Sequence, residues 1–158
     1  RIKLFGREVD SPRLSSWMGD AGASYVYSQT RFEPRSWLPE LQSLRERLQS
    51  ELAARFNSVL ANYYRHGQDS MGWHSDDEPE LGLQPVIASI SLGAPRRLSF
   101  KEKSAGAKAV HLELPHGSLL LMCGNTQKNY RHALAKTSKP VGERINLTYR
   151  NIVLPRPV

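Results

Sequence analysis

Between positions 38 and 56 the apolar residues Leu38, Leu41, Leu44, Leu48, Leu52 and Phe56 recur at steps of three or four. Arg45, Glu46, Arg47, Gln49 and Glu51 fill the positions between them. This is the pattern of an amphipathic helix with one face on a core. The helix is expected over 36–56, entered at Ser36 or Trp37, with Pro39 in a first turn that does not need its missing N–H. After Asn57 the period shortens to two. Short apolar-rich runs near 58–64, 86–92, 96–102, 108–114, 118–123, 130–135 and 144–153 are punctuated by Gly67, Gly72, Gly93-Ala94-Pro95, His116-Gly117 and Gly124-Asn125. They predict strands joined by turns. One helix packed on many short strands makes a mainly β fold, a sandwich or barrel such as a jelly roll. Residues 1–35 carry aromatic and basic residues and predict hairpins and loops.

The length of 158 residues suits one domain with a core of its own. No apolar run is long enough to span a bilayer, and no secretory segment is visible. Cys123 is the single cysteine, which excludes an internal disulfide and a thiolate zinc cluster. Lys and Arg number 22 against 15 Asp and Glu, with a pI near 9.8. Such a balance fits a polyanionic partner, nucleic acid first, and it also serves plain solubility.

Against that positive background "WHSDDEPELG", residues 73–82, sets three adjacent carboxylates beside a histidine. They call for a metal ion, a basic side chain or a cationic substrate. On an extended strand His74 and Asp76 point to one face. Two ligands leave a coordination sphere open, and His66, His111, His116 and His132 are the other histidines. Two histidines and one carboxylate hold Fe(II) on one face and leave positions free for a co-substrate and oxygen.

His132 is the best third ligand because "RINLTYR", residues 144–150, follows it. There Arg144, Asn146, Thr148 and Arg150 alternate with Ile145, Leu147 and Tyr149. A strand of this kind buries an apolar face and turns two arginines the other way. Inward arginines need anions, and a dicarboxylic acid would satisfy them through forked hydrogen bonds. Asn62 and Tyr64 show the same alternation and could add neutral hydrogen bonds to that ligand.

At these residues the chain resembles the AlkB family of Fe(II)- and 2-oxoglutarate-dependent nucleic-acid demethylases. The likeness runs from "PRLSSWMGDAGASYVYS" through "NYYRHGQDSMGWHSDDEPELG", "IASISLGAPRRLSF" and "LPHGSLLLM" to "RHALAK" and "RINLTYRNI". It implies a double-stranded β-helix, of jelly-roll type, under an N-terminal nucleotide-recognition lid. The division implied is 1–35 lid, 36–56 supporting helix and 57–158 core, within a single domain over 1–158. It also implies iron on His74, Asp76 and His132, and 2-oxoglutarate on Asn62, Tyr64, Arg144, Asn146 and Arg150, with molecular oxygen as the third participant. The activity implied is oxidative demethylation of N1-methyladenine and N3-methylcytosine in DNA, with RNA as a second substrate, releasing formaldehyde and succinate.

Both methylated bases are cationic near neutral pH, so Asp77 or Glu78 could face the base; the same residues could equally cap a turn. A base must leave its stack to reach a buried iron. The family places aromatic walls where this chain has Tyr25, Tyr27 and Trp17, which could alternatively be core aromatics beneath the lid. Phe5, in "LFGR", resembles a finger that fills the gap left by a flipped base, or anchors the terminus. Arg96, Arg97, Lys101 and Lys103 form a basic cluster suited to phosphates or to solvent. A monomer is expected, in the cytoplasm of a bacterium or the nucleus of a eukaryote. Other readings are a demethylase of an RNA mark or protein side chain, and a nucleic-acid-binding module without turnover.

Overall fold

The computed structural model describes residues 2–4, 7–9, 11–27 and 30–153; for 2–9 and 25–32 the description covers the backbone. Two short antiparallel hairpins come from the N-terminal region, β1 (Ile2–Leu4) with β2 (Arg7–Val9), and β4 (Tyr25–Tyr27) with β5 (Thr30–Phe32). Between them β3 (Leu14–Gly19) joins the main body. Helix α1 (Pro39–Leu52) follows, then β6 (Ser58–Tyr64), β7 (Met71–His74), β8 (Ile87–Gly93), β9 (Arg96–Glu102), β10 (Val110–Leu114), β11 (Leu119–Met122), the one-turn helix α2 (Thr126–Asn129), β12 (Tyr130–Leu134) and β13 (Arg144–Arg150).

The strands build two facing antiparallel sheets. The major sheet runs β11-β8-β13-β6-β3 and the minor sheet β10-β9-β12-β7. This is the expected double-stranded β-helix. Three boundaries differ from the sequence reading. Strand β3 is hydrogen-bonded along β6 inside the major sheet, so part of 1–35 is core. The last strand ends at Arg150 and the helix at Leu52, because Ala53 turns left-handed at φ 49° and the Phe56 N–H is taken by Gln49 Oε1 at 2.9 Å.

Packing follows the two-residue alternation of β13. Its Leu147 and Tyr149 join Met18, Leu48, Phe56, Val59, Ala88 and Ile90 in the core under α1. Tyr149 is fully buried. Trp37 stacks on it at 6.4 Å, Phe56 meets it edge-on at 6.2 Å, and its hydroxyl donates to the Leu41 carbonyl at 3.0 Å. Burial pushes its pKa up to about 12, so it remains a donor. The Leu stripe of α1 is therefore spent on this face, except for Leu38 at the N-cap, which stays exposed. The other face of β13 points between the sheets. At the β8–β9 corner Gly93 has φ 87°, and a Cβ there would lie 2.4 Å from the Glu143 carbonyl oxygen. Only glycine lets this corner approach the start of β13 so closely.

Tyr149→Ala should cost about 3–5 kcal/mol in chemical denaturation, as for other buried aromatics, whereas Tyr149→Phe should cost about 1 kcal/mol for the lost hydroxyl bond. Equal losses would assign the helix's anchorage to the hydrogen bond instead of the ring.

Candidate active site

The inner faces of the two sheets enclose a narrow cleft of about 40 Å³. The major sheet contributes Asn62, Tyr64, Asn146, Thr148 and Arg150, and the minor sheet contributes His74 and His132. The last two sit directly opposite each other in the β12–β7 register, with ring centroids 4.2 Å apart. Strand β7 carries a bulge here, since Leu134 pairs with Met71 and not with the next residue in phase. Asp76 lies two residues beyond the end of β7, outside the ladder.

One ligand atom from each of His74, Asp76 and His132 falls within 4.8 Å of the others. His74 Nδ1 is hydrogen-bonded to the Gly72 carbonyl at 2.9 Å. That bond places the proton on Nδ1 and leaves Nε2 a lone pair, 3.9 Å from Asp76 Oδ1. Nε2 is buried and has no hydrogen-bond partner, as a metal-ligating nitrogen would. Burial holds the His132 pKa down to about 4, so this imidazole is neutral at pH 7. Burial alone would raise the Asp76 carboxyl. Arg150, 2.8 Å away, outweighs it and holds its pKa below the ordinary value. Two imidazole nitrogens and one carboxylate oxygen are the donor set of a facial Fe(II) site.

The anion side of the cleft is less evenly matched. Arg150 spends one nitrogen on Asp76. Arg144 is 1% exposed. Its Nη2 donates to Ser91 Oγ at 2.8 Å and Asn146 Oδ1 at 3.0 Å, and its guanidinium lies 5.3 Å from the centre of the Tyr64 ring. Its Nε and Nη1 are buried without partners, and no carboxylate pairs with it among the described residues. Burial lowers its pKa. A buried cation short of hydrogen bonds is costly unless an anion completes it. A carboxylate of 2-oxoglutarate suits those two donors. Asn62 Oδ1 accepts from Arg13 Nε at 2.9 Å and Ser15 Oγ at 2.7 Å.

The residues expected at the substrate scatter. Trp17 is 4% exposed and packs with Ala23, Leu81 and Ile152, its Nε1 donating to the Ala23 carbonyl at 2.9 Å. It offers no open face to a base, which corrects the stacking role expected for it. Tyr25 and Tyr27 are on β4, and their side chains, like the whole of Phe5, lie outside the described residues. Asp77 is exposed and bonded to Lys103 at 2.9 Å. Glu78 is half-buried, and its carbonyl accepts from the Leu81 N–H at the start of a 3-10 turn over Pro79–Leu81. Arg96 leaves the expected basic cluster. It is 5% exposed and donates to the carbonyls of Asp69 at 3.0 Å and Ala135 at 2.7 Å.

Sequence reasoning missed Gln127. It is 2% exposed, and its Oε1 accepts the Asp76 backbone N–H at 2.9 Å. Since Asp76 is past the end of β7, this side chain stands in for the missing neighbouring strand. Lys103 Nζ, 2.8 Å from the Gln127 carbonyl, ties the same turn to Asp77. Nothing in the spacing of a lone glutamine announces such an interaction.

Comparison with known proteins adds an independent line. The chain matches the 2OG-Fe(II) oxygenase superfamily over residues 5–150. It is 39% identical to the DNA oxidative demethylase ALKBH2 of Bos taurus over 97% of its own length and 58% of that protein's. It is 41% identical to the alpha-ketoglutarate-dependent dioxygenase alkB homolog 3 of Rattus norvegicus over 89% of its length and 50% of that protein's. The chain thus spans about half to three-fifths of these relatives. The solved structure of OsALKBH1 superposes with a TM-score of 0.63 at 19% identity, covering 91% of this chain and 82% of that one, which establishes the shared fold.

With the folded pKa of His132 at about 4 and the ordinary value at 6.5, the unfolded chain takes up this proton first as pH falls. The penalty is absent above 6.5 and complete below about 4. Metal-free protein should lose about 3 kcal/mol of stability across that window from this residue alone. Urea denaturation at stepped pH should show a shallower dependence for His132→Asn; an unchanged profile would mean that His132 is charged in the fold.

Proposed function

The chain belongs to the 2OG-Fe(II) oxygenase superfamily and, within it, to the AlkB family, and on that footing we propose that it is an iron(II)- and 2-oxoglutarate-dependent dioxygenase that demethylates N-alkylated bases. Its substrates are N1-methyladenine and N3-methylcytosine in DNA, with RNA second. The observation that carries the reading is the His74–Asp76–His132 cluster in a cleft whose lining residues Asn146 and Tyr64 contact the buried, incompletely bonded Arg144. A metal site alone, or a lone buried arginine, would support far less.

In this reading His74, Asp76 and His132 hold Fe(II). With 2-oxoglutarate and molecular oxygen the metal supplies oxidation of the methyl group, which leaves as formaldehyde while the co-substrate becomes succinate and carbon dioxide. The chain's own part is placement. Arg144 receives a carboxylate of 2-oxoglutarate through its free Nε and Nη1. Asn146 is pre-set for the same ligand, its Oδ1 engaged by Arg144 and its Nδ2 donating to Thr148 Oγ1 at 2.9 Å. Tyr64, 3% exposed, closes the cleft against water, and Asn62 and Arg150 complete its polar wall. Burial raises the pKa of Tyr64, so its hydroxyl stays protonated.

We assign the β4–β5 hairpin as the lid, with Tyr25 and Tyr27 as stacking partners of the flipped base and Phe5 as the residue that fills its place. Asp77 is engaged by Lys103 in a solvent-exposed pair of the kind worth about 0–1 kcal/mol. We assign Glu78, or Asp77, as the acid that faces the cationic base. At about 4 Å and an effective dielectric near 20 that attraction is about 4 kcal/mol before desolvation.

The test is demethylation of a single-stranded DNA oligomer carrying one N3-methylcytosine, with Fe(II), ascorbate and 2-oxoglutarate, followed by mass. Turnover should require 2-oxoglutarate and vanish in His132→Ala. Arg144→Met should raise the KM for 2-oxoglutarate about 10- to 100-fold, the value of a lost charge-assisted pair. Succinate without demethylation would leave the oxygenase and reject the substrate; no succinate from iron-loaded protein would reject both. Replacing DNA with RNA in the same assay ranks the two polymers. Glu78→Gln should lose more activity on cationic than on neutral methylated bases, and equal losses would remove Glu78 from recognition.

A further inference from the structure

The outward face of the minor sheet carries an arrangement that the cleft does not use. Strands β9 and β12 present Leu98, Phe100, His132 and Leu134 inward, so Arg97, Lys101 and Arg131 point outward, and all three are exposed. In the β12–β9 register Arg131 stands directly opposite Lys101. Like charges directly opposed on neighbouring strands repel and weaken a sheet. No carboxylate lies within ion-pairing distance of either among the described residues. Arg97, by contrast, faces Glu113 across the β9–β10 pair.

Beside this pair stands Trp73 on β7, 48% exposed. An indole half open to water on a rigid strand is an unusual placement for a side chain with so much apolar surface. Strand β7 is the edge of the minor sheet, and Trp73 immediately precedes His74. The small buried residues Ser99 and Ala133 form the cross-strand row next to that of Lys101 and Arg131, level with Trp73. Neighbouring strands are about 4.8 Å apart, so the span from β7 to β9 is about 10 Å, room for one or two nucleotides.

The geometry points to the outer face of the minor sheet as a docking track for the single nucleic-acid strand that flanks the reacting base, with phosphates on Lys101 and Arg131 and one base stacked on Trp73. The inference rests on the proposed nucleic-acid substrate. Charge complementarity selects this occupant. An anionic phosphate relieves the Lys101–Arg131 repulsion, and an aromatic shelf accepts any base without sequence preference. The track begins one residue from each histidine of the cleft, so a strand whose base enters the cleft passes over the β7 edge onto it.

The experiment measures binding of a fluorescently labelled, unmodified single-stranded 12-mer by anisotropy over a series of salt concentrations, without relying on turnover. The parent, K101Q/R131Q, W73A and a control, R47Q/R55Q, which removes two exposed arginines on and just beyond α1, are compared. For a single strand, removing one cation that neutralises a phosphate lowers the slope of log affinity against log salt by about 0.7. K101Q/R131Q should therefore flatten the slope by about 1.4, with the control unchanged, and W73A should weaken binding about tenfold at constant slope. All substituted side chains are exposed, and circular dichroism confirms folding. Parent-like binding by K101Q/R131Q, or an equal loss in the control, overturns the track. A parent that binds the 12-mer through this face yet demethylates nothing would overturn the substrate reading and leave the track standing.

Discussion

One ion pair ties the two sheets together where the chemistry lies. Arg150 reaches from the last strand of the major sheet to Asp76, which hangs beyond the end of β7 in the minor sheet, and the two meet at 2.8 Å with both side chains almost wholly buried. Removing either partner would strand a charge in the protein interior, a loss of about 3–5 kcal/mol in comparable buried pairs. The pair does more than join. It keeps the Asp76 carboxylate ionised despite complete burial, which is the form a metal needs. It also consumes part of Arg150, so the two arginines of one strand are not equivalent. The one nearer the cluster is already matched, and Arg144, at the other end of the strand, keeps unused donors.

That asymmetry explains why the site suits a metal cation together with an anionic ligand. Near the histidines, imidazole nitrogens and one carboxylate form a cluster that could hold a metal ion. Near Arg144, buried N–H groups await an anion. A ligand that binds here pairs the buried guanidinium and so also adds stability in proportion to the logarithm of its concentration over its dissociation constant. The protein tolerates the unpaired state because Ser91, Asn146 and the Tyr64 ring share part of the charge.

Much of this was legible in advance, for definite reasons. Leucines at steps of three and four mark a helix with one buried face, and α1 forms there, although it stops at Leu52, before a left-handed Ala53 that no hydrophobic pattern marks. The alternation in "RINLTYR" announced β13 and the sidedness of its arginines. The extended strand expected at His74 and Asp76 is β7, which is short, carries a bulge and ends at His74, before the aspartate. The membership of β3 in the major sheet escaped notice because its first half, Leu14-Ser15-Ser16, is not buried and carries no apolar alternation. Arg96, read as a surface cation, proved to be a buried clasp on backbone carbonyls. A single arginine in a basic run carries no sign of which way it turns.

By itself the sequence determined the chemistry. The types and spacing of His74, Asp76, His132, Arg144 and Arg150 mark out a candidate metal cluster and two inward arginines, because ligand sets and strand periodicity are local properties that residue order records directly. Tertiary structure alone decided how those pieces are held. That Arg150 and not Arg144 meets Asp76, that Gln127 supplies the missing strand for the aspartate's backbone, that Trp17 is packed away while Trp73 faces water, and that Lys101 opposes Arg131 are all matters of register and burial between segments distant in the chain. Such pairings depend on which strands become neighbours, and no local pattern encodes that.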